Sequence, residues 1–186
     1  MESDSATHGT GAKPLLFWSV IVVVIALDVV TKAIAVYSLS PSHFPHDVFG
    51  EWFRLTLVYN PGAAFGLHLG QYSRWIFMAL TAGALVILWR LYVATDGRDL
   101  RRTLALSLVC GGAVGNLVDR VRSPLGVVDF IDIGIGAHRW PTFNVADIAV
   151  STGAFLLAWV LWMEDQEIAR AAASTGAAVP RDAQGA

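Results

Sequence analysis

Four apolar runs long enough to cross a bilayer dominate this chain of 186 residues and restrict its fold more than any other feature. They extend from Leu15 through Leu27 and on to Leu39, from Trp75 to Val93, from Leu104 to Val118, and from Val145 to Met163. A spanning helix needs about 20 mostly apolar residues, and all four approach that length once their flanks are counted, the third being the shortest. Only 15% of the residues are charged, against about 25% in a soluble domain, and the mean hydropathy is +0.54. The expected fold class is an α-helical membrane protein with four transmembrane helices.

Residues 1–13 are small and polar and read as a flexible cytoplasmic leader. Residues 14–163 form the four-span membrane domain. Residues 164–186, rich in Ala, Gly and polar side chains, read as a disordered cytoplasmic tail. Ala33-Ile34-Ala35 imitates a signal-peptide cleavage site, but Asp28 and Lys32 interrupt the region that would have to be apolar. With four spans both termini share a side. The short loop holding Arg98, Arg101 and Arg102 would lie in the cytoplasm, although Arg54, Arg74, Arg120, Arg122 and Arg139 on the other side make the bias slight. A net charge of -2 without a basic run gives no reason to expect a nucleic-acid partner. Cys110 is the single cysteine, so neither a disulfide framework nor a thiolate metal cluster is expected. His43 and His46, the closest histidine pair, are poor grounds for a metal site.

The outer connections carry strand signals. From Glu51 to Tyr59, Phe53, Leu55, Leu57 and Tyr59 alternate with Arg54 and Thr56, and period two means a strand. Asn60-Pro61-Gly62 then supplies a turn. Val127 to Ile135 is a second strand candidate, closed by Gly134 and Gly136. A small extracytoplasmic β-sheet lying on the outer membrane surface follows, with an edge open to strand addition by a peptide.

An ionisable residue at a membrane position is expensive and requires a reason. Asp28 and Lys32, four apart on the first helix, share a face and can form a structural ion pair. Gly111 and Gly115 make a small-residue face for close helix approach. Asn116 and Arg120 also share a face, beside Asp119. They could hold a carboxylate or a substrate carbonyl, or Arg120 could snorkel to the head groups with Asp119 as its counter-charge. Asp147 stands at the opening of the last run, where Asn144 as N-cap and Asp147 in the first turn would make an ordinary helix start. Asp129 is harder to explain away, because Val127, Val128, Phe130 and Ile131 surround it. Asp132, on the other strand face, is its rival. Two converging carboxylates could share a proton and activate water, the apparatus of an aspartic protease. A proton- or ion-coupled carrier using Asp28, Lys32, Asp129 and Asp147 as a relay, and a purely structural membrane subunit, are the alternatives.

Together the motifs resemble one family. Gly112-Ala113-x-Gly115-Asn116-x-x-Asp119-Arg120, Gly126-x-Val128-Asp129-Phe130 and Phe143-Asn144-x-Ala146-Asp147 look like the bacterial lipoprotein signal peptidases (signal peptidase II). Asp28-x-x-Thr31-Lys32 and Asn60-x-Gly62-x-Ala64-Phe65 agree, and the match runs from about residue 15 to 163 in the family's order. The resemblance implies an inner-membrane aspartic endopeptidase with both termini cytoplasmic. It would cleave prolipoproteins on the amino side of a cysteine carrying a diacylglyceryl group. Asp129 and Asp147 would be the catalytic pair. Asn116, Arg120 and Asn144 would line the site, Asn60, Gly62, Ala64 and Phe65 would lie over it, and Asp28 and Lys32 would support it. The resemblance further implies no metal or organic cofactor and inhibition by the cyclic peptide globomycin; contact with membrane lipid and action as a monomer are the remaining expectations.

Overall fold

The structure is a computed structural model that describes residues 11–62 and 70–177. Helices α1 (Ala12–Ser38), α2 (Ser73–Ala94), α3 (Leu100–Arg122) and α4 (Val145–Ala177) coincide with the four apolar runs, and each is long and apolar enough to cross a membrane. Val22 and Val23 of α1, Val86 and Ile87 of α2, and Phe155 and Trp159 of α4 point outward, fully or half exposed, as lipid-facing side chains do. Helix α3 is central and packs against the other three. Its glycines permit this, because a Cβ on Gly111 would stand 2.9 Å from Val24 Cβ of α1, and one on Gly112 would stand 2.8 Å from Val150 Cγ2 of α4. The small-residue face read from the sequence thus receives α1, and the adjacent glycine receives α4.

Both connections that carry strands lie at the same end of the bundle, because α1 and α3 run towards it while α2 and α4 start from it. Strands β1 (Pro45–Phe49), β2 (Phe53–Asn60), β3 (Val127–Ile135) and β4 (His138–Arg139) form an antiparallel sheet in that order. Leu57, Val128 and Phe130 seat it on Ala35 and Leu39 at the end of α1. β3 has the bounds expected of it, and β2 ends one residue beyond Tyr59. The alternation of β2 does not run unbroken: an irregularity between Leu55 and Val58 re-registers the strand, so that Val58 stands opposite Asp129 and Asn60 opposite Val127. Gly126 has φ +100°, and a Cβ there would collide with the Asn60 carbonyl, so glycine is what lets β3 begin against the end of β2.

Two boundaries differ from the sequence reading. α1 starts at Ala12, inside the supposed leader, and α4 continues past Met163 to Ala177, so the first part of the supposed tail is helical. Ala, Glu, Gln and Arg, which predominate in that stretch, are among the strongest helix formers, and Glu164 is bonded to Arg102 of α3.

Candidate active site

The opening of α4 builds the first half of the site. Asn144 is its N-cap: its Oδ1 accepts the Asp147 N–H at 2.9 Å, and Asp147 Oδ2 accepts the Asn144 N–H at 3.2 Å. This reciprocal cap satisfies two donors of the first turn. It leaves Asp147 Oδ1 to accept from Asn116 Nδ2 of α3 at 2.8 Å. The ordinary cap and the convergence on a second carboxylate are therefore both realised, by different atoms of the same two residues.

β3 builds the second half. The segment before α4 pairs with β3 through Phe143 and Ile131, with N–H···O distances of 2.8 and 3.0 Å, and this sets Asn144 beside Asp129. Asn144 is fully buried and its Nδ2 donates to Asp129 Oδ1 at 2.7 Å. Asn60 Nδ2, at the end of β2, donates to Asp129 Oδ2 at 3.1 Å. Asn60 Oδ1 meanwhile accepts the Gly62 N–H at 3.0 Å, closing the expected turn. Asn144 thus touches both aspartates. Burial pushes the Asp129 carboxyl up to about 7, the Asp147 charge adds to the rise, and the amides of Asn60 and Asn144 oppose it.

Asp132 is turned away from this site. It accepts from Thr56 Oγ1 at 2.9 Å and from Arg139 Nε at 2.5 Å, which makes it a tie between β2, β3 and β4. Arg120 is buried rather than snorkelling. It donates to the Gly62 carbonyl at 2.9 Å and to the Asn116 carbonyl at 3.3 Å, and so joins the end of α3 to the turn after β2. Arg74 at the start of α2 donates in turn to the Arg120 and Val121 carbonyls at 2.6 and 3.0 Å. Asp28 and Lys32 pair at 2.7 Å as expected, behind the carboxylates. Ala64 and Phe65 lie outside the described residues.

The sequence reading gave Asp119 to Arg120, its neighbour; its carboxylate lies 2.8 Å from Lys32 instead. Its position three residues after Asn116, on the same helix face, was the available signal. Nor did the sequence single out the apolar walls. A cavity of about 760 Å³ opens over the site, with Asn60, Asn116, Arg120, Asp129 and Asp147 on its polar side. Tyr59, Val127, Trp140, Phe143, Ile148 and Val150 supply much of its apolar wall, with Ser151 and Thr152 further along α4.

Four spanning helices topped by a sheet, with the buried Asp129 and the half-buried Asp147 facing one largely apolar cavity at one end, fit a multi-pass membrane protease of the aspartic type. The sequence pattern of the Signal peptidase (SPase) II family matches residues 20–163, and the chain belongs to that family. A lipoprotein signal peptidase of Cupriavidus taiwanensis is 43% identical over 148 residues, 77% of this chain and 81% of that protein. One of Burkholderia thailandensis is 40% identical over 155 residues, 82% of this chain and 90% of that protein. A bacterial membrane enzyme structure determined by the in meso method at 2.3 Å resolution superposes with a TM-score of 0.73 at 29% identity, covering 90% of this chain and 95% of that one. Another, at 1.9 Å resolution, gives 0.68 at 31% identity, covering 78% and 91%.

Proposed function

We propose that this lipoprotein signal peptidase cleaves diacylglyceryl-modified prolipoproteins on the amino side of the lipidated cysteine, with Asp129 and Asp147 as its catalytic pair. The observation that carries the reading is Asn144 bonded to both carboxylates, one of them buried enough to hold a proton near pH 7. Two unit charges about 4 Å apart repel by about 4 kcal/mol at an effective dielectric of about 20, so the pair keeps one proton and titrates as a unit. The ionised carboxylate takes a proton from water as it attacks the scissile carbonyl. The protonated one polarises that carbonyl and then delivers its proton to the leaving amine. No metal or cofactor enters the scheme.

The cavity's apolar wall along α4 suits a substrate that stays in the bilayer, since the scissile bond reaches the aspartates while the acyl chains remain in lipid. Arg98, Arg101 and Arg102 lie at the opposite end of the bundle from the sheet. The positive-inside rule puts them in the cytoplasm with both chain ends, and the site at the outer surface of the inner membrane. Globomycin, a cyclic peptide, would compete for the cavity, and the chain would work as a monomer. Family membership and the convergence of the buried charges at one end of the bundle leave the carrier reading without support.

Incubation of the purified protein with a diacylglyceryl-modified prolipoprotein tests the reading. The expected result is a product shortened by the signal peptide, with the unmodified prolipoprotein left intact. A folded protein that produces no size shift, or that cuts both forms equally, would sink it.

A further inference from the structure

Asp129 and Asp147 stand on different elements, a strand and a helix, and neither element by itself fixes the distance between them. Behind them lies Lys32, 3% exposed. Its ammonium forms ion pairs with Asp28 Oδ2 at 2.7 Å and Asp119 Oδ2 at 2.8 Å and donates to Asn116 Oδ1 at 3.0 Å. Each flanking carboxylate has a second partner. Asp28 Oδ1 accepts the Ala146 N–H at 2.9 Å, and Asp119 Oδ2 accepts the Val128 N–H at 3.1 Å. Ala146 immediately precedes Asp147, and Val128 immediately precedes Asp129. The third arm acts on a side chain. Asn116 Oδ1 accepts from both Lys32 and Asn144, which leaves its Nδ2 facing Asp147 Oδ1.

We propose that Lys32 is a positioning residue for the peptidase reaction: through Asp28, Asp119 and Asn116 it fixes the backbone beside each aspartate and so sets the spacing of the pair. This rests on Asp129 and Asp147 being the catalytic pair. A role in stability alone does not account for the arrangement, because burying an ion cluster costs desolvation that apolar packing would avoid. What apolar packing would not supply is a directional bond to the amide beside each aspartate. A displacement of about 1 Å at a reacting group costs on the order of 100-fold in rate. The charged groups around Asp129 are Asp28 and Lys32 from α1, Asp119 and Arg120 from α3, and Asp147 from α4, while β2 contributes the neutral Asn60 and the Asp132–Arg139 pair of β3 and β4 points away.

The test uses the purified full chain, a diacylglyceryl-modified prolipoprotein, kcat and KM measured across pH, and thermal unfolding of each variant. Asp119→Asn keeps an acceptor for the Val128 N–H, whereas Asp119→Ala removes it. Asp119→Ala should lower kcat by about 10- to 100-fold with KM nearly unchanged, and Asp119→Asn should recover most of that loss. Lys32→Met should move the alkaline limb of the pH profile up, since the ammonium favours ionised Asp129. Both Asp119 variants should move it down, since they strip the ammonium of a counter-charge. A structural role alone predicts no such opposed shifts. If Lys32→Met does not fold, the Asp119 variants decide, and if Asp119→Ala does not fold, the limb of Asp119→Asn decides. Wild-type kcat in Asp119→Ala, equal damage in Ala and Asn, or an unmoved limb would overturn the positioning role. Asp129→Asn separates the two ideas: activity in that variant removes the catalytic assignment itself, whereas its inactivity beside a normal Asp119→Ala removes only the positioning.

Discussion

Asn144→Ala should damage stability and chemistry by amounts that can be told apart. The side chain performs two separable tasks: Oδ1 caps α4, and Nδ2 donates to Asp129. Loss of an N-cap costs about 1 kcal/mol, and leaving a buried carboxylate oxygen without its donor costs about 1–3 kcal/mol more, so the variant should lose about 2–4 kcal/mol. The donor also favours the ionised form of Asp129, whose carboxyl already stands at about 7. Without it the carboxyl rises further, so the alkaline limb of activity moves to higher pH. A charge-assisted bond of about 1.5 kcal/mol corresponds to a shift of about one pH unit. Asn144→Ser keeps a capping oxygen and should therefore recover about 1 kcal/mol of that loss while still moving the limb upward. Thermal unfolding in detergent reads the first quantity, and kcat/KM between about pH 5 and pH 9 reads the second. An alkaline limb that stays put or moves down in both variants would refute the reasoning, as would a Ser variant as unstable as Ala.

Asp129→Asn and Asp147→Asn should each reduce cleavage by orders of magnitude while folding normally, and Asp132→Asn should retain most activity; a size-shift assay on all three checks the choice of the first aspartate. Gly115→Ala would place a Cβ 2.7 Å from Asp28 Oδ2 and should destabilise the bundle by about 1–3 kcal/mol, measured as a lower midpoint in thermal unfolding. Arg120→Lys keeps the charge but lacks the planar fork that reaches two carbonyls, so activity should fall several-fold, and wild-type kcat/KM would count against a bridging role.

Much of the architecture was legible because the strongest signals were long or local. A spanning run announces itself by length alone, Val127 to Ile135 by its bounding glycines, and the Asn144–Asp147 cap by its spacing. β1 was missed because Pro45-His46-Asp47-Val48-Phe49 has no clean alternation and opens on a proline, and β4 because two residues carry no period. The helix beyond Met163 was misread because small and polar residues resemble disorder in composition, while alanine favours helix in fact. At the site, Asp129 stood out as a carboxylate in an apolar strand. The partner of Asp119 did not, because Lys32 lies far away in the chain: the spacing of α3 sets Asp119 on the face of Asn116 but does not say which helix packs there. The break in β2 was invisible for the same reason, since a strand's register depends on its neighbour.

Asp28 and Lys32 also bear on how the protein is made. During synthesis α1 reaches the bilayer before α3 and α4 exist, so for a time neither the Ala146 N–H nor Asn116 is there to receive these charges. A single Asp or Lys at the centre of an inserting helix costs about 2.5–3.5 kcal/mol. Placed one turn apart, the two cancel each other's charge, and α1 enters lipid carrying its own counter-ion. Their bonds to α3 and α4 form only as those helices arrive, so completing the bundle and completing the active site are the same event. An assembly stalled after the first hairpin would be a stable membrane segment with no proteolytic activity.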